Sequence, residues 1–174
     1  MRPPVDYIER THEQYAALGY PPYQWVENTN PPPFATLSKP VREARVGLVA
    51  SGGIYVAGQV AFHFRDDISV RIVPRDTPVA DLRITHFAYD LTAARSDPNV
   101  VFPLETLRDL AATGELGEVA PCAYTFMGGI YSSRKVRDRV APAIAVSVSG
   151  GGMCECGQGV SMRRRLVDFE ELGT

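Results

Sequence analysis

The chain has 174 residues, of which 45% are hydrophobic and 22% charged, a size and composition that suit one globular domain with its own buried core. Eighteen Lys and Arg against twenty Asp and Glu leave a formal charge of -2, which provides no electrostatic footprint for nucleic acid or an anionic membrane surface. Met1-Arg2-Pro3-Pro4 has no signal-like apolar core and no apolar run is long enough to span a bilayer, so the expected location is cytoplasmic.

Val5, Ile8, Tyr15 and Leu18 recur at helical spacing after Pro3-Pro4, and Gly19 with Pro21-Pro22 stops the pattern, which predicts an amphipathic first helix. Residues 20–40 interleave six prolines with Tyr23, Trp25 and Phe34. The prolines forbid regular ladders and the aromatics offer large apolar area, so this stretch reads as an extended arm that wraps its own domain or a neighbouring subunit. The expected organisation is a helix and arm over residues 1–40 and an α/β domain over residues 41–174.

Residues 46–58, VGLVASGGIYVAG, read as a strand buried on both faces that opens at Ser51-Gly52-Gly53 into a loop. Ile68, Val70 and Ile72 alternate as in a strand with one wetter face, and residues 74–78 turn the chain. Leu82, Ile84, His86 and Ala88 share one side of the next extended run, which Asp90 closes. Residues 99–102 predict a short strand leading into a helix with Pro103 in its first turn, an apolar face of Leu104, Leu107, Leu110 and Ala111, and a stop at Gly114.

Residues 124–130 form another apolar run, punctured by Gly128-Gly129, and residues 134–139 a short basic helical piece ended by Pro142. Ile144, Val146 and Val148 predict a further strand, and Met162, Leu166, Phe169 and Leu172 a last amphipathic helix. Strands alternating with helices and ending in glycine-rich loops give the fold class: α/β, a single-domain sheet with flanking helices and a Pro/aromatic-rich N-terminal arm.

Three groups of residues carry candidate chemistry. Ser51-Gly52-Gly53 can bring backbone N–H groups close to an anion, and it is equally an ordinary turn. It has neither the glycine fingerprint of a dinucleotide fold nor the Lys-Ser/Thr of a phosphate loop, so no nucleotide cofactor is expected. Cys154-Glu155-Cys156 falls between a predicted strand and a predicted helix start, where the helix dipole favours a thiolate. A disulfide within Cys-x-Cys closes a small strained ring, and a cycling pair would be a labile oxidant. Packing cysteines and a metal site completed by Cys122 and His86 are the alternatives, the latter without zinc-ribbon spacing. Cys122 itself, after Pro121, reads as a buried cysteine. His86 and Asp90 make a His-x-x-x-Asp pair in which the carboxylate can fix the imidazole tautomer for acid–base work; a core histidine bonded to backbone is the bland alternative. His12 and His63 read as structural, and Arg163-Arg164-Arg165 as a solvated face.

Pro22-Tyr23-Gln24-Trp25-Val26-Glu27, Pro31-Pro32-Pro33-Phe34, Lys39-Pro40, Glu43-Ala44-Arg45-Val46, Ser51-Gly52-Gly53, Asp76-Thr77-Pro78, Thr85-His86, Tyr89-Asp90, the run from Asp97-Pro98-Asn99 to Pro103-Leu104 and Phe126-Met127-Gly128 follow one another in an order that resembles the selenoprotein B family of glycine, sarcosine, betaine and D-proline reductases. The resemblance spans residues 20–145. It implies a redox component of a reductive C–N cleaving system, in which a selenocysteine or cysteine near the C-terminal end attacks the substrate α-carbon and a partner subunit's pyruvoyl group activates the amine.

Short homologues in that family carry Cys-x-x-Cys after the last strand. Here the corresponding positions fall near Gly150 and Met153, and Cys154 and Cys156 are the residues available to replace them. The inherited nucleophile position is thus displaced, and the residues read together with the resemblance give a thiol-dependent, oxidoreductase-like protein with Cys154, Cys156, His86 and Asp90 as catalytic residues and Ser51, Gly52, Gly53 and Gly128 around a small amine or amino-acid-like substrate. A redox partner protein and a homo-oligomer are expected, with no metal and no organic cofactor. The rival readings are a non-catalytic ligand-binding or assembly subunit and a metal-binding protein.

Overall fold

The computed structural model describes residues 6–22, 24, 26–27, 29–31 and 36–149, and the chain divides into two compact units, Met1–Thr36 and Leu37–Thr174. In the first unit α1 spans Tyr7–Ala17. It starts at Tyr7, two positions into the apolar pattern read from Val5, because Asp6 Oδ1 accepts the N–H groups of Ile8 and Glu9 at 3.0 and 3.1 Å, and it stops at Gly19, whose φ of 74° suits a residue without Cβ. Within the arm Tyr23, Trp25 and Phe34 lie outside the described residues.

The second unit is a mixed α/β structure built on short strands. In chain order these are β1 (Arg45–Val46), β2 (Val49–Ala50), β3 (Ile54–Val56), β4 (Arg71–Pro74), β5 (Leu82–Ile84), β6 (Glu118–Val119) and β7 (Cys122–Thr125). β1 pairs in parallel with β6 and β2 with β7, while β4 joins β7 antiparallel and β3 pairs antiparallel with β5. The pairings Arg45↔Glu118 and Val49↔Tyr124 show that the two long paths run side by side with two extra residues on the β6–β7 side. Pro121, which has no N–H to give a ladder, sits at that interruption.

Helices α2 (Thr92–Ser96), α3 (Leu104–Ala112), α4 (Ser133–Lys135) and α5 (Ala141–Ser149) complete the unit, with a π-helical segment at Val136–Val140 joining the last two. The core lies where Ile54, Val73, Phe102 and Leu104 meet, all at 1% exposure or less. Each such side chain contributes roughly 1.5–3 kcal/mol on burial. Polar ties fix the surrounding elements: Arg108 Nη1 of α3 donates to the carbonyls of Arg75 and Thr77 at 2.8 and 2.9 Å, and Glu118 accepts from both Arg45 and Arg75. The hydroxyl of buried Thr125 donates to the Ile54 carbonyl.

Several predicted elements take another form. The stretch at 46–50 is two short strands on the outer side of β6 and β7, not one strand buried on both faces, and Val49 is 45% exposed. In β4 the buried residue is Val73 and Ile72 faces out, the reverse of the alternation read from Ile68, Val70 and Ile72. Asp67 Oδ1 takes the Ser69 N–H, so a local turn occupies the residues before β4. Residues 98–100 are a 3-10 turn capped by Asp97, not a strand. Ile144, Val146 and Val148 lie in α5, not in a strand. Val136, Val140 and Ile144 are a helical stripe at four-residue steps, and the intervening alanines favour helix.

Pro142 does not end the basic helix. Ahead of it the Ala141 N–H donates to the Val136 carbonyl, five residues back. Widening that turn shifts the hydrogen-bond register next to a residue that lacks its own donor.

Candidate functional site

Ser51-Gly52-Gly53 leaves β2 and crosses the strand that continues from β7. Gly52 bridges Met127 antiparallel, through bonds from the Gly53 N–H to the Phe126 carbonyl at 3.2 Å and from the Gly128 N–H to the Ser51 carbonyl at 2.9 Å. The next strand clamps the loop from its other side, because the Thr85 N–H donates to the Gly53 carbonyl at 3.0 Å. Gly53 is buried at φ 72°, and a Cβ built there would stand 2.0 Å from the Thr85 carbonyl oxygen. Only glycine permits that approach. The N–H groups of Gly53 and Gly128 are therefore engaged within the protein, and the outward-facing parts of the loop are Ser51 and the Cα of Gly128.

His86 follows Thr85 directly and is brought to this corner. A Cβ on Gly128 would meet His86 Nε2 at 3.3 Å and the Ser51 carbonyl oxygen at 3.0 Å. The ring is oriented from both sides. Nδ1 lies 3.1 Å from the Ala88 N–H, which donates to it, and the Tyr89 ring packs at 4.5 Å between centroids. With Nδ1 an acceptor, neutral His86 carries its proton on Nε2, facing Gly128 and Ser51. Burial pushes its pKa below the ordinary histidine value. What this corner offers is a neutral Nε2–H donor at a half-buried position.

Tyr89 is the element that sequence reading missed. Its hydroxyl donates to the Gly52 carbonyl at 2.8 Å, so it supports both the loop and the imidazole, and burial pushes its own pKa up. The dipeptide Tyr89-Asp90 stands out in the sequence, but no spacing rule reports that this side chain reaches 37 residues back. Asp90 is placed elsewhere. Its Oδ1 accepts the Thr92 N–H at 2.9 Å and hydroxyl at 2.7 Å, at the start of α2, and those two bonds hold its carboxyl below the usual range. An aspartate that can close a turn two residues ahead does so in preference to a more distant ring.

Two apolar features are exposed on this unit. Phe64 and Phe87, both more than half exposed, stack edge to face at 6.0 Å, and Phe87 follows His86 in the chain. Elsewhere on the unit an open groove of about 510 Å³ is lined by Val49, Phe126, Val140 and Ile144 among others. The end of α5 lies against β7, for the Tyr124 hydroxyl donates to the Ser147 carbonyl at 3.2 Å.

Cys154 and Cys156 lie outside the described residues. Cys122, which opens β7, is 5% exposed and disulfide-bonded. Among the described residues no group of three or more His, Cys, Asp or Glu is placed to hold one metal ion, and no described helix is long and apolar enough to cross a membrane.

Comparison with known proteins gives two matches. The family described as Glycine/sarcosine/betaine reductase selenoprotein B matches residues 25–152. The D-proline reductase subunit gamma of Acetoanaerobium sticklandii is 30% identical over 129 residues, which cover 74% of this chain and 53% of that protein; the chain thus spans about half the length of the relative it matches. No solved structure matches.

Proposed function

From the membership of this chain in the glycine/sarcosine/betaine reductase selenoprotein B family, we propose that it is the thiol-bearing component of a reductase that cleaves a C–N bond of a small amine or amino acid. D-proline, the substrate named for its relative, is the first compound to test. In this reading Cys154 and Cys156 form the thiol centre, Ser51 and Gly128 face the substrate, and Gly52 and Gly53 hold the loop behind them. His86 hands a proton to the departing nitrogen from Nε2, and Asp90 acts one step removed, by setting the turn at the end of the His86 segment.

The observation that carries the proposal is the convergence of His86 Nε2, Gly128 and Ser51 on one open corner. Reach favours it as well. Cys154 lies seven positions after Ser147, a span of up to about 25 Å, and Ser147 is bonded to Tyr124, four residues before Gly128. A thiol from that segment has the length to arrive at the corner. A cytoplasmic homo-oligomer with a redox partner protein, and with no metal or organic cofactor of its own, completes the reading.

The test is dithiol-dependent consumption of D-proline, glycine, sarcosine or betaine by the protein purified together with its native partners. Activity retained by the Cys154→Ser/Cys156→Ser double variant overturns the proposal. A second reading, a non-catalytic assembly subunit, is favoured by the exposed pair Phe64 and Phe87. It predicts unreactive cysteines in native thiol titration, whereas the enzyme reading predicts fast thiolates.

A further inference from the structure

The path from Arg45 to Ala50 runs along an outer edge of strand, and we infer that a second copy of this chain pairs with it, antiparallel and centred on Gly47. The inference deepens the homo-oligomer of the reading above by naming its interface. Its test reads association alone, so it can fail while the thiol chemistry stands.

The edge is open by geometry. Among the described residues β1 pairs with β6 alone and β2 with β7 alone. On the inner side the carbonyls of Val46, Leu48 and Ala50 accept N–H groups from the β6–β7 path at 2.8 to 3.0 Å. Successive residues of an extended chain turn their N–H and C=O to opposite sides, so Arg45, Gly47 and Val49 turn theirs outward. Among the described residues none of those outward groups has a hydrogen-bond partner. No proline interrupts the row, and the charge it carries, on Arg45, is drawn to Glu118 at 2.9 Å, so the usual protections of a strand edge are missing.

Gly47 is an independent observation. It does not have positive φ, and a Cβ built on it would meet nothing nearer than the Ala120 Cβ at 3.9 Å. Nothing among the described residues therefore requires glycine there. A glycine inside a strand costs backbone entropy and packing, and it marks places where another backbone comes close.

The pattern of the edge selects the occupant and its register. A two-fold axis at Gly47 sets that residue against its own copy and Arg45 against Val49, and each facing pair exchanges two backbone bonds. Val46 and Leu48, half-buried against the core, then face each other between copies as the closer, apolar pairs. Any other axis along the edge sets two Arg45 side chains opposite one another, or an outward residue against Glu43 or Ser51, whose backbone groups are already bonded. An edge this short buries less than the roughly 800 Å² per copy of a standard interface, so association is expected at about 1–100 μM.

Analytical ultracentrifugation of the full chain from about 1 to 500 μM, with dithiothreitol present so that no disulfide contributes, tests this. The expected result is a monomer–dimer equilibrium. Gly47→Pro removes an N–H that the described residues leave unused, and should raise the dissociation constant roughly thirtyfold through the two bonds lost at the axis. Val49→Lys sets an ammonium against Arg45 of the other copy and should weaken the dimer, whereas Val49→Glu should tighten it. In amide exchange the N–H groups of Arg45, Gly47 and Val49 should gain protection as concentration rises, while those of Val46 and Ala50, which face β6 and β7, are protected throughout. A monomer at every concentration overturns the inference, as does a dimer that Gly47→Pro and Val49→Lys leave intact. Protection of the three outward amides in a chain that stays monomeric assigns the edge to another occupant and overturns it too. If Gly47→Pro unfolds the chain, the two Val49 variants decide, and equal effects from both overturn the inference.

Discussion

Replacing Gly53 by alanine tests whether the loop is held in its shape by the strand beneath it. The substitution asks an L-residue to hold φ at 72°, which costs about 1–2 kcal/mol. It also sets a methyl 2.0 Å from the Thr85 carbonyl oxygen, a contact that forces the loop and the strand apart by about 1 Å or more, since Cβ contacts under 3.0 Å do not occur. The bonds at risk are Thr85 N–H to Gly53 carbonyl and Gly53 N–H to Phe126 carbonyl, each worth about 1 kcal/mol net. Together these terms give a loss of about 3–4 kcal/mol, or roughly 6–16 °C in Tm for a chain of this size. Gly58→Ala is the control, because Gly58 also has positive φ, 92°, but nothing stands within 4 Å of its Cβ position; its loss should stay near about 1–2 kcal/mol. Urea unfolding followed by circular dichroism measures both. Gly53→Ala within about 0.5 kcal/mol of Gly58→Ala, a margin ordinary surface changes also reach, refutes the clamp between Gly53 and Thr85.

His86 should titrate below about 6.5 in nitrogen-detected NMR, with its proton on Nε2 at neutral pH. Because burial depresses its folded pKa, the stability linked to the neutral ring is complete above the unfolded value and is lost as pH falls through the folded one; a midpoint above 6.5 contradicts the assigned environment. Tyr89→Phe keeps the ring stacked on His86 but removes the bond to the Gly52 carbonyl, so stability should drop by about 1 kcal/mol while the His86 tautomer persists. Arg108→Ala should cost about 2–3 kcal/mol by freeing the Arg75 and Thr77 carbonyls, and Arg108→Lys should restore only part of it, because the lysine side chain ends one bond short of the Nη1 that reaches both carbonyls. Thr125→Val, nearly isosteric at a fully buried position, should lose about 1–2 kcal/mol through the unpaired Ile54 carbonyl; a neutral outcome in thermal melts would mean that the hydroxyl bond contributes nothing.

Local signals placed the elements whose causes are local. Pro3-Pro4 ahead of a periodic apolar run and Gly19 behind it delimit α1 to within a turn, and Pro103 and Gly114 bracket α3 in the same way, because stops act within one turn of helix. The order of short motifs along the chain was enough to point to the family. The strand read through Ile144, Val146 and Val148 failed because β-branched residues at every second position also fit a helix when they continue a four-residue stripe from Val136 and Val140, and only the tertiary setting, in which Val140 and Ile144 line one groove with Val49 and Phe126, chooses between the two. The alternation before β4 failed for a related reason: a turn closed by Asp67 reset which residue faces the core.

The candidate site divides along the same line. Ser51-Gly52-Gly53, Gly128 and His86 are each conspicuous in the sequence, and chemistry alone singles them out as a flexible loop and a titratable ring. Their meeting is a tertiary fact, made by an antiparallel bridge from Gly52 to Met127 and by a bond from Thr85 to Gly53 between segments more than 30 residues apart. The same contacts decided that the Gly53 N–H serves the fold and not a ligand, that Ala88 and Tyr89 orient His86, and that Asp90 closes its own turn. Residue type sets which groups can do chemistry, but which partner each one takes depends on backbone donors and acceptors that only the folded chain brings within 3 Å.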